Sequence, residues 1–312
     1  MENIKKIKGT KNKGRPRLDT ERSRRLVCKS INKLRKNGKF SLEDLKRETG
    51  LKYSIKTFRR LLAKLGYRYI QCMRKGILSK EDLNLRLKFA RKCKRLPQNF
   101  WEDGIGFYLD GTSWAHKTDP KKTAITTRTR IWRKKSEYLE RLCTAKGKKE
   151  GTGGQTAKFM VAIAFGKGVV KCHQYTEHVS GEMFSQFIKD HFAEMFEVSA
   201  NPKGKLFLQD GDPSQNSKLA KEAMDLVPCR LFHIPARSPD LNPIENIFHL
   251  IGNQLKQDAI QRNITKESFV AFSARVKRTI LRFPTDVINK TIASMPKRIE
   301  MVLKNKGLRT KY

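Results

Sequence analysis

Residues 205–253 read KLFLQDGDPSQNSKLAKEAMDLVPCRLFHIPARSPDLNPIENIFHLIGN. The apolar run at 206–208 ends in Asp210, the pattern of a buried strand that delivers a carboxylate to its carboxyl end. Glu245 follows after 34 intervening residues, in the first turn of a helix opened by Asn242 and Pro243. Upstream, GIGFYLD (104–110) has the same design and closes on Asp110. Three acids gathered together would repel strongly: two unit charges about 4 Å apart cost roughly 4 kcal/mol at an effective dielectric near 20. A pair of divalent cations removes that penalty, and phosphate chemistry is the common use of such a pair.

Each acid also has a local structural explanation. Asp110-Gly111 and Asp210-Gly211 are dipeptides typical of tight turns after strands. Asn242, Pro243 and Glu245 stand where an N-cap, an N1 proline and the N3 member of a capping box belong. Jointly, two strand-end carboxylates and one helix-start carboxylate can converge at one edge of a sheet, where α/β folds place their sites. Asp212 competes with Asp210, but Asp212-Pro213 reads as the opening of the following helical segment. Asp240, between two prolines, reads as a structural loop residue. His249, one helical turn past Glu245, reads as packed or solvated. Cys229 and His233 lack the second ligand pair of a zinc site. Gly151–Gly154 lacks Walker A order, so no ATP site is expected.

Asp110, Asp210 and Glu245, with SPDLNPIEN around the last, resemble the DDE catalytic domain of mariner-type (Tc/mariner) transposases. GRPR at 14–17 and the tail SMPKRIEMVLKNKG...TKY at 294–312 extend the likeness over almost the whole chain. The resemblance implies an RNase H-like catalytic core, with two Mg2+ (or Mn2+) ions held by Asp110, Asp210 and Glu245. The implied activity is cleavage at transposon ends and joining of the freed 3′ ends to target DNA. It further implies double-stranded DNA with terminal inverted repeats and a TA-type target as substrate, a homodimer, and no use of ATP. One departure stands out: relatives carry a first helix-turn-helix before the GRPR linker, whereas 13 residues precede Gly14 here. Half of a two-part end reader is therefore expected to be missing.

The charge balance agrees with a polyanionic partner. Lys and Arg number 68 against 30 Asp and Glu, a formal net charge of +38. Residues 1–100 alone hold 32 basic and 8 acidic side chains. The six cysteines show neither CxxC nor framework spacing, and read as reduced thiols. No secretory segment opens the chain, and no apolar run approaches the roughly 18 residues of a membrane span. The expected compartment is the nucleus, with the basic cluster at 5–17 as import signal, DNA arm or both.

The expected fold is α/β: a mixed sheet flanked by helices, preceded by a small all-α helix-turn-helix domain. Residues 1–18 are a basic arm in which Arg15, Pro16 and Arg17 resemble an AT-hook, an extended backbone suited to the minor groove. Residues 19–70 contain three helices, at 20–35, after Ser41, and after Ser54. Lys56, Arg59, Arg60 and Lys64 on the third are the candidate DNA contacts, since its apolar residues Ile55, Phe58, Leu62 and Leu65 recur on another face. Residues 71–100 read as a basic linker with a helix opened by Ser79. Residues 101–312 read as the catalytic domain. Its parts are a strand at 127–135 running into a basic loop, a hairpin about Gly166–Gly168, a helix at 181–196, and helices at 242–257, 266–282 and a last pair broken at Pro296, the end of the chain serving as lid or brace. Two other readings compete with a transposase: a catalytically silent or host-recruited DNA-binding protein, and a nuclease of RNA–DNA hybrids.

Overall fold

The computed structural model describes residues 20–36, 40–71, 78–125, 130–137, 155–211 and 217–312. They form two compact units, Met1–Ile77 with Thr127–Lys148, and Leu78–Thr126 with Lys149–Tyr312.

The first unit opens with α1 (Glu21–Lys36), α2 (Leu42–Thr49), α3 (Ile55–Lys64) and β1 (Tyr67–Gln71). Local chemistry sets their ends. The Ser41 hydroxyl accepts from the Asp44 N–H at 3.1 Å, while Asp44 Oδ2 accepts from the Ser41 N–H at 2.8 Å. This capping box closes two donors that the start of α2 would otherwise leave open. Gly50 ends α2 at φ 66°, a left-handed conformation that costs glycine nothing. Ser54 caps α3 by accepting from the Thr57 N–H. Val27, Ile31, Leu45, Phe58 and Leu62 are fully buried between the helices.

The chain then runs through α4 (Lys80–Cys93), β2 (Phe107–Ala115) and α5 (Pro120–Ile125) before β3 (Arg130–Lys134) returns to the first unit. There β3 pairs antiparallel with β1, Tyr69 opposite Trp132. Arg35 of α1 fastens this return: its Nη2 donates to Trp132 O and to Glu137 Oε2, both at 2.8 Å. The strand at 130–134, read from sequence as part of the catalytic half, thus groups with the helical unit. The pairing joins segments some sixty residues apart, which no local pattern reveals.

The second unit is a five-stranded sheet with helices on both faces. Its remaining elements are β4 (Thr156–Ala164), β5 (Gly168–Tyr175), α6 (Gly181–Glu197), β6 (Leu206–Gln209), α7 (Lys218–Leu226), β7 (Arg230–His233), α8 (Pro243–Gln261), α9 (Phe269–Leu281), α10 (Thr285–Ile292) and α11 (Met295–Lys304). Strand order is β5-β4-β2-β6-β7, antiparallel through β5, β4 and β2, and parallel from β2 to β6 and β7. Side-chain alternation divides the core. Phe107, Leu109, Met160, Ala162 and Phe207 face α6 and α7, where Phe184, Phe187, Phe192 and Phe196 pack against them. Tyr108, Phe159, Val161 and Ile163 face the other way, toward α8–α11. Each fully buried side chain of this size contributes about 1.5–3 kcal/mol.

The sheet departs from expectation in two places. β2 does not stop at Asp110; it continues five residues to Ala115, with Gly111 in register with Met160, so Asp110-Gly111 is no turn. α4, read as part of a linker, groups with the second unit and packs against α11. Among the described residues no helix is long and apolar enough to cross a membrane, and Cys28, Cys93, Cys172 and Cys229 are free thiols.

Candidate active site

Parallel register brings the first two acids level. Tyr108 of β2 lies opposite Leu208 of β6, and Asp110 and Asp210 each stand two residues further on. Alternation puts Asp110 on the same face as Tyr108, the face covered by α8. Asp110 is 7% exposed. Its Oδ1 accepts from the Gly111 N–H at 2.7 Å and its Oδ2 from Asn242 Nδ2 at 3.0 Å.

Asn242 is the residue that opens α8. The sequence offers it as the cap, with Glu245 as its reciprocal partner. The structure shows no side-chain cap bond there. The amide turns to Asp110 instead, and Glu245 stays in the first turn, where the positive end of the helix dipole favours a carboxylate. Asp210, Asn242 and Glu245 all line one cavity of about 260 Å³, together with Ile234, Arg237 and Ser238. Arg237 stands on its rim at φ 57°, a left-handed value uncommon for a residue with a Cβ and typical of functional turns.

The donors suit a hard divalent cation in kind: carboxylate oxygens from Asp210 and Glu245, with Asp110 one hydrogen bond behind them through Asn242. They are not gathered round a single point. Among the described residues no three His, Cys, Asp or Glu side chains stand close enough to hold a metal ion. The three acids therefore share one wall of the fold without forming a closed ligand set.

The turn between β7 and α8 is held from beneath by a buried hub that the sequence did not announce. Asp240 is 1% exposed. Arg86 of α4 grips its carboxylate with both terminal nitrogens, at 2.9 and 2.8 Å, and the Thr310 N–H donates to it at 2.8 Å. Arg298 of α11 donates to the Asp240 carbonyl at 2.9 Å and to Asn246 Oδ1 at 2.8 Å. Arg86 also reaches Gly307 O, and the Arg298 guanidinium lies 4.4 Å from the centre of the Tyr312 ring. The last residues of the chain are thus the brace that was expected, and the loop residue they brace is Asp240. Its position between two prolines was the one available signal.

The other candidates are distributed as follows. Lys56, Arg59, Arg60 and Lys64 are exposed along α3, with Phe58, Leu61 and Leu62 buried behind them. Arg15, Pro16, Arg17, Asp212 and Gly151–Gly154 lie outside the described residues. His249 is exposed and pairs with Asn253 at 3.1 Å, away from the cavity. Cys229 donates weakly to Met224 O, and burial, with Lys221 nearby, pulls the His233 pKa down; neither joins a metal cluster.

A mixed sheet covered by helices, with one carboxylate from a strand, one just past the neighbouring strand and one from the helix laid over their ends, is the architecture of an RNase H-like fold. Residues 120–267 match the DDE superfamily endonuclease family, a stretch that includes Asp210 and Glu245 but not Asp110. The chain is 30% identical over 136 residues to the Tc1 transposase of Caenorhabditis elegans, covering 41% of this chain and 48% of that protein. To the Tcb2 transposase of Caenorhabditis briggsae it is 31% identical over 107 residues, covering 34% and 37%. It therefore spans about half, or less, of the curated relatives it matches. The Mos1 transposase in its strand transfer complex shares the fold with a TM-score of 0.59 at 16% identity, over 97% of this chain and 83% of that one. The Mos1 catalytic domain with raltegravir and Mg gives 0.52 at 13%, over 76% and 100%. Over residues 120–267 the chain is thus similar to DDE superfamily endonucleases, and over part of its length to the Tc1 and Tcb2 transposases.

Proposed function

We propose that the protein is a DNA transposase that cuts transposon ends and joins the freed 3′ ends to target DNA. The observation that carries this reading is the cavity on which Asp210 and Glu245 meet, with Asp110 tied to its wall through Asn242. Two divalent cations, Mg2+ or Mn2+, held by Asp110, Asp210 and Glu245, would supply an activated oxygen nucleophile and stabilise the leaving oxygen. The chain's own part is to fix the carboxylates: β2 and β6 set two of them level, and α8 carries the third over the strand ends. The basic face of α3 would lie in a major groove of transposon-end DNA, and the arm with Arg15 and Arg17 in a minor groove. A homodimer acting in the nucleus completes the proposal. Kinship with the Tc1 and Tcb2 transposases supports it.

Nicking of supercoiled plasmid bearing a matched inverted repeat tests the reading. Wild type is expected to nick with Mg2+ or Mn2+. Glu245→Gln, which leaves the helix start intact but removes the charge, should lose at least about a hundredfold, the scale on which loss of a single transition-state interaction is felt. Equal rates would reject the assignment. Binding to the repeat without metal-dependent cleavage by wild type would leave a silent DNA-binding protein instead.

A further inference from the structure

Asn242 is spent on something other than its helix. It is fully buried, occupies the N-cap position of α8, and makes no cap. Its Nδ2 goes to Asp110, and among the described residues its Oδ1 has no hydrogen-bond partner. Facing a carboxylate, the amide must present its nitrogen, so the oxygen is left as the orphan. A buried amide oxygen without a donor is unfavourable, and such groups are uncommon enough in folded proteins to require a reason. The same residue lines the cavity shared by Asp210 and Glu245.

We propose that Asn242 is a positioning residue of the acidic site: its amide nitrogen aligns the Asp110 carboxylate for a divalent cation, and its amide oxygen is held ready in the cavity wall as a further oxygen ligand. The inference rests on the proposed role of the three acids. It links the strand acid to the helix acid through one side chain three residues before Glu245, so that α8 and β2 are aligned by the same group. Asparagine is suited to this because it offers a donor and an acceptor on one planar group and adds no charge to a crowded acidic site. Outer ligands of this kind commonly change metal affinity 10- to 100-fold when removed.

The experiment is Mn2+ binding to the full chain by calorimetry without DNA, paired with thermal unfolding with and without Mn2+. If Asn242 serves the fold alone, Asn242→Ser and Asn242→Asp leave Mn2+ affinity unchanged, and whatever shift each makes in melting temperature is the same with and without Mn2+. Our proposal predicts a metal-dependent difference instead. Asn242→Ser, too short to reach Asp110, should weaken Mn2+ binding 10- to 100-fold, with a modestly lower metal-free melting temperature because Asp110 loses a donor. Asn242→Asp sets a second carboxylate against Asp110, so it should melt lower than wild type without metal and regain the difference when Mn2+ is added. Wild-type Mn2+ affinity in Asn242→Ser, or a metal-independent melting temperature in Asn242→Asp, overturns the proposal. Asp210→Asn and Glu245→Gln are measured alongside. If they too bind Mn2+ like wild type, the acidic site itself falls; if they lose binding while Asn242→Ser keeps it, only the role of Asn242 falls.

Discussion

Asp240 shows how one residue can hold the turn beside the candidate site without belonging to the proposed chemistry. Its carboxylate is enclosed, and its charge is answered by the Arg86 fork and the Thr310 N–H. Burial pushes its pKa up, but the hydrogen bonds and charge of Arg86, with Thr310, pull harder and leave it below the ordinary carboxylate value. A carboxyl depressed in the folded state adds stability above its unfolded pKa, and that stability is lost as pH falls through the folded value. Urea midpoints should therefore hold steady above about pH 5 and fall below about pH 4, near the unfolded value. Asp240→Asn should flatten that acid limb; a limb of unchanged steepness would show that other carboxylates govern it. At neutral pH the same change leaves Arg86 buried beside an uncharged partner, at a cost of about 3–5 kcal/mol by analogy with broken buried pairs. The sequence marks Asp240 as structural, since an acid between two prolines is held in a turn. Its partners are not readable there, because Arg86 lies 154 residues away and Thr310 lies 70. Asn242 misleads for a related reason: its local pattern is a sound cap, and only the approach of β2 turns the amide elsewhere.

Elements whose ends are set by neighbouring residues are the ones legible in advance. Ser41 with Asp44, Gly50, Ser54, and Ser79 with Asp82 all act as sequence chemistry requires. The length of β2 is not legible. An Asp-Gly pair is a turn signal in isolation, yet β4 supplies a ladder partner for every residue from Tyr108 to Ala115, and pairing outweighs the local preference. α2 and α3 allow stability and the proposed DNA binding to be separated. Ser41→Ala should cost about 1 kcal/mol of stability in the first unit by loss of the cap, with the salt dependence of DNA binding unchanged. Removing Lys56 and Arg59 together, on the exposed face of α3, should do the reverse. The melting temperature should stay put, and the slope of log K against log salt should fall by about 0.9 for each phosphate that is no longer neutralised. Binding titrations between low and moderate salt read this directly. An unchanged slope in the double variant would remove α3 from the DNA-reading role.

At the scale of the whole molecule, the chain crosses between its two units three times, after Ile77, after Thr126 and after Lys148. The strand that carries Asp110 is thus covalently bracketed by two pieces of the helical unit, β1 on one side and β3 on the other. A boundary drawn at residue 100, natural from composition, would cut that unit in half, since charge and helix periodicity carry no trace of a strand that returns later. The energetic stake is concrete. Trp132 is 8% exposed in the first unit's core, and the Arg35–Glu137 pair that anchors it is nearly as sheltered, with side chains 4% and 15% exposed. A fragment of residues 1–77 lacks all of this and should be less stable than the same unit in the full chain. Adding a peptide of residues 127–148 should restore it. Residues 1–77 contain no tryptophan, so the Trp132 fluorescence of the peptide reports the event without interference. A saturable blue shift, accompanied by a higher melting temperature of the fragment, is expected. Arg35→Ala in the fragment should weaken the association by about 1–3 kcal/mol, because the sheltered Glu137 loses its charged partner and keeps only the Lys134 N–H. If instead Trp132 stays solvent-exposed at every concentration and the fragment melts like the unit in the full chain, the helical unit is complete without β3. The discontinuous boundary would then be wrong.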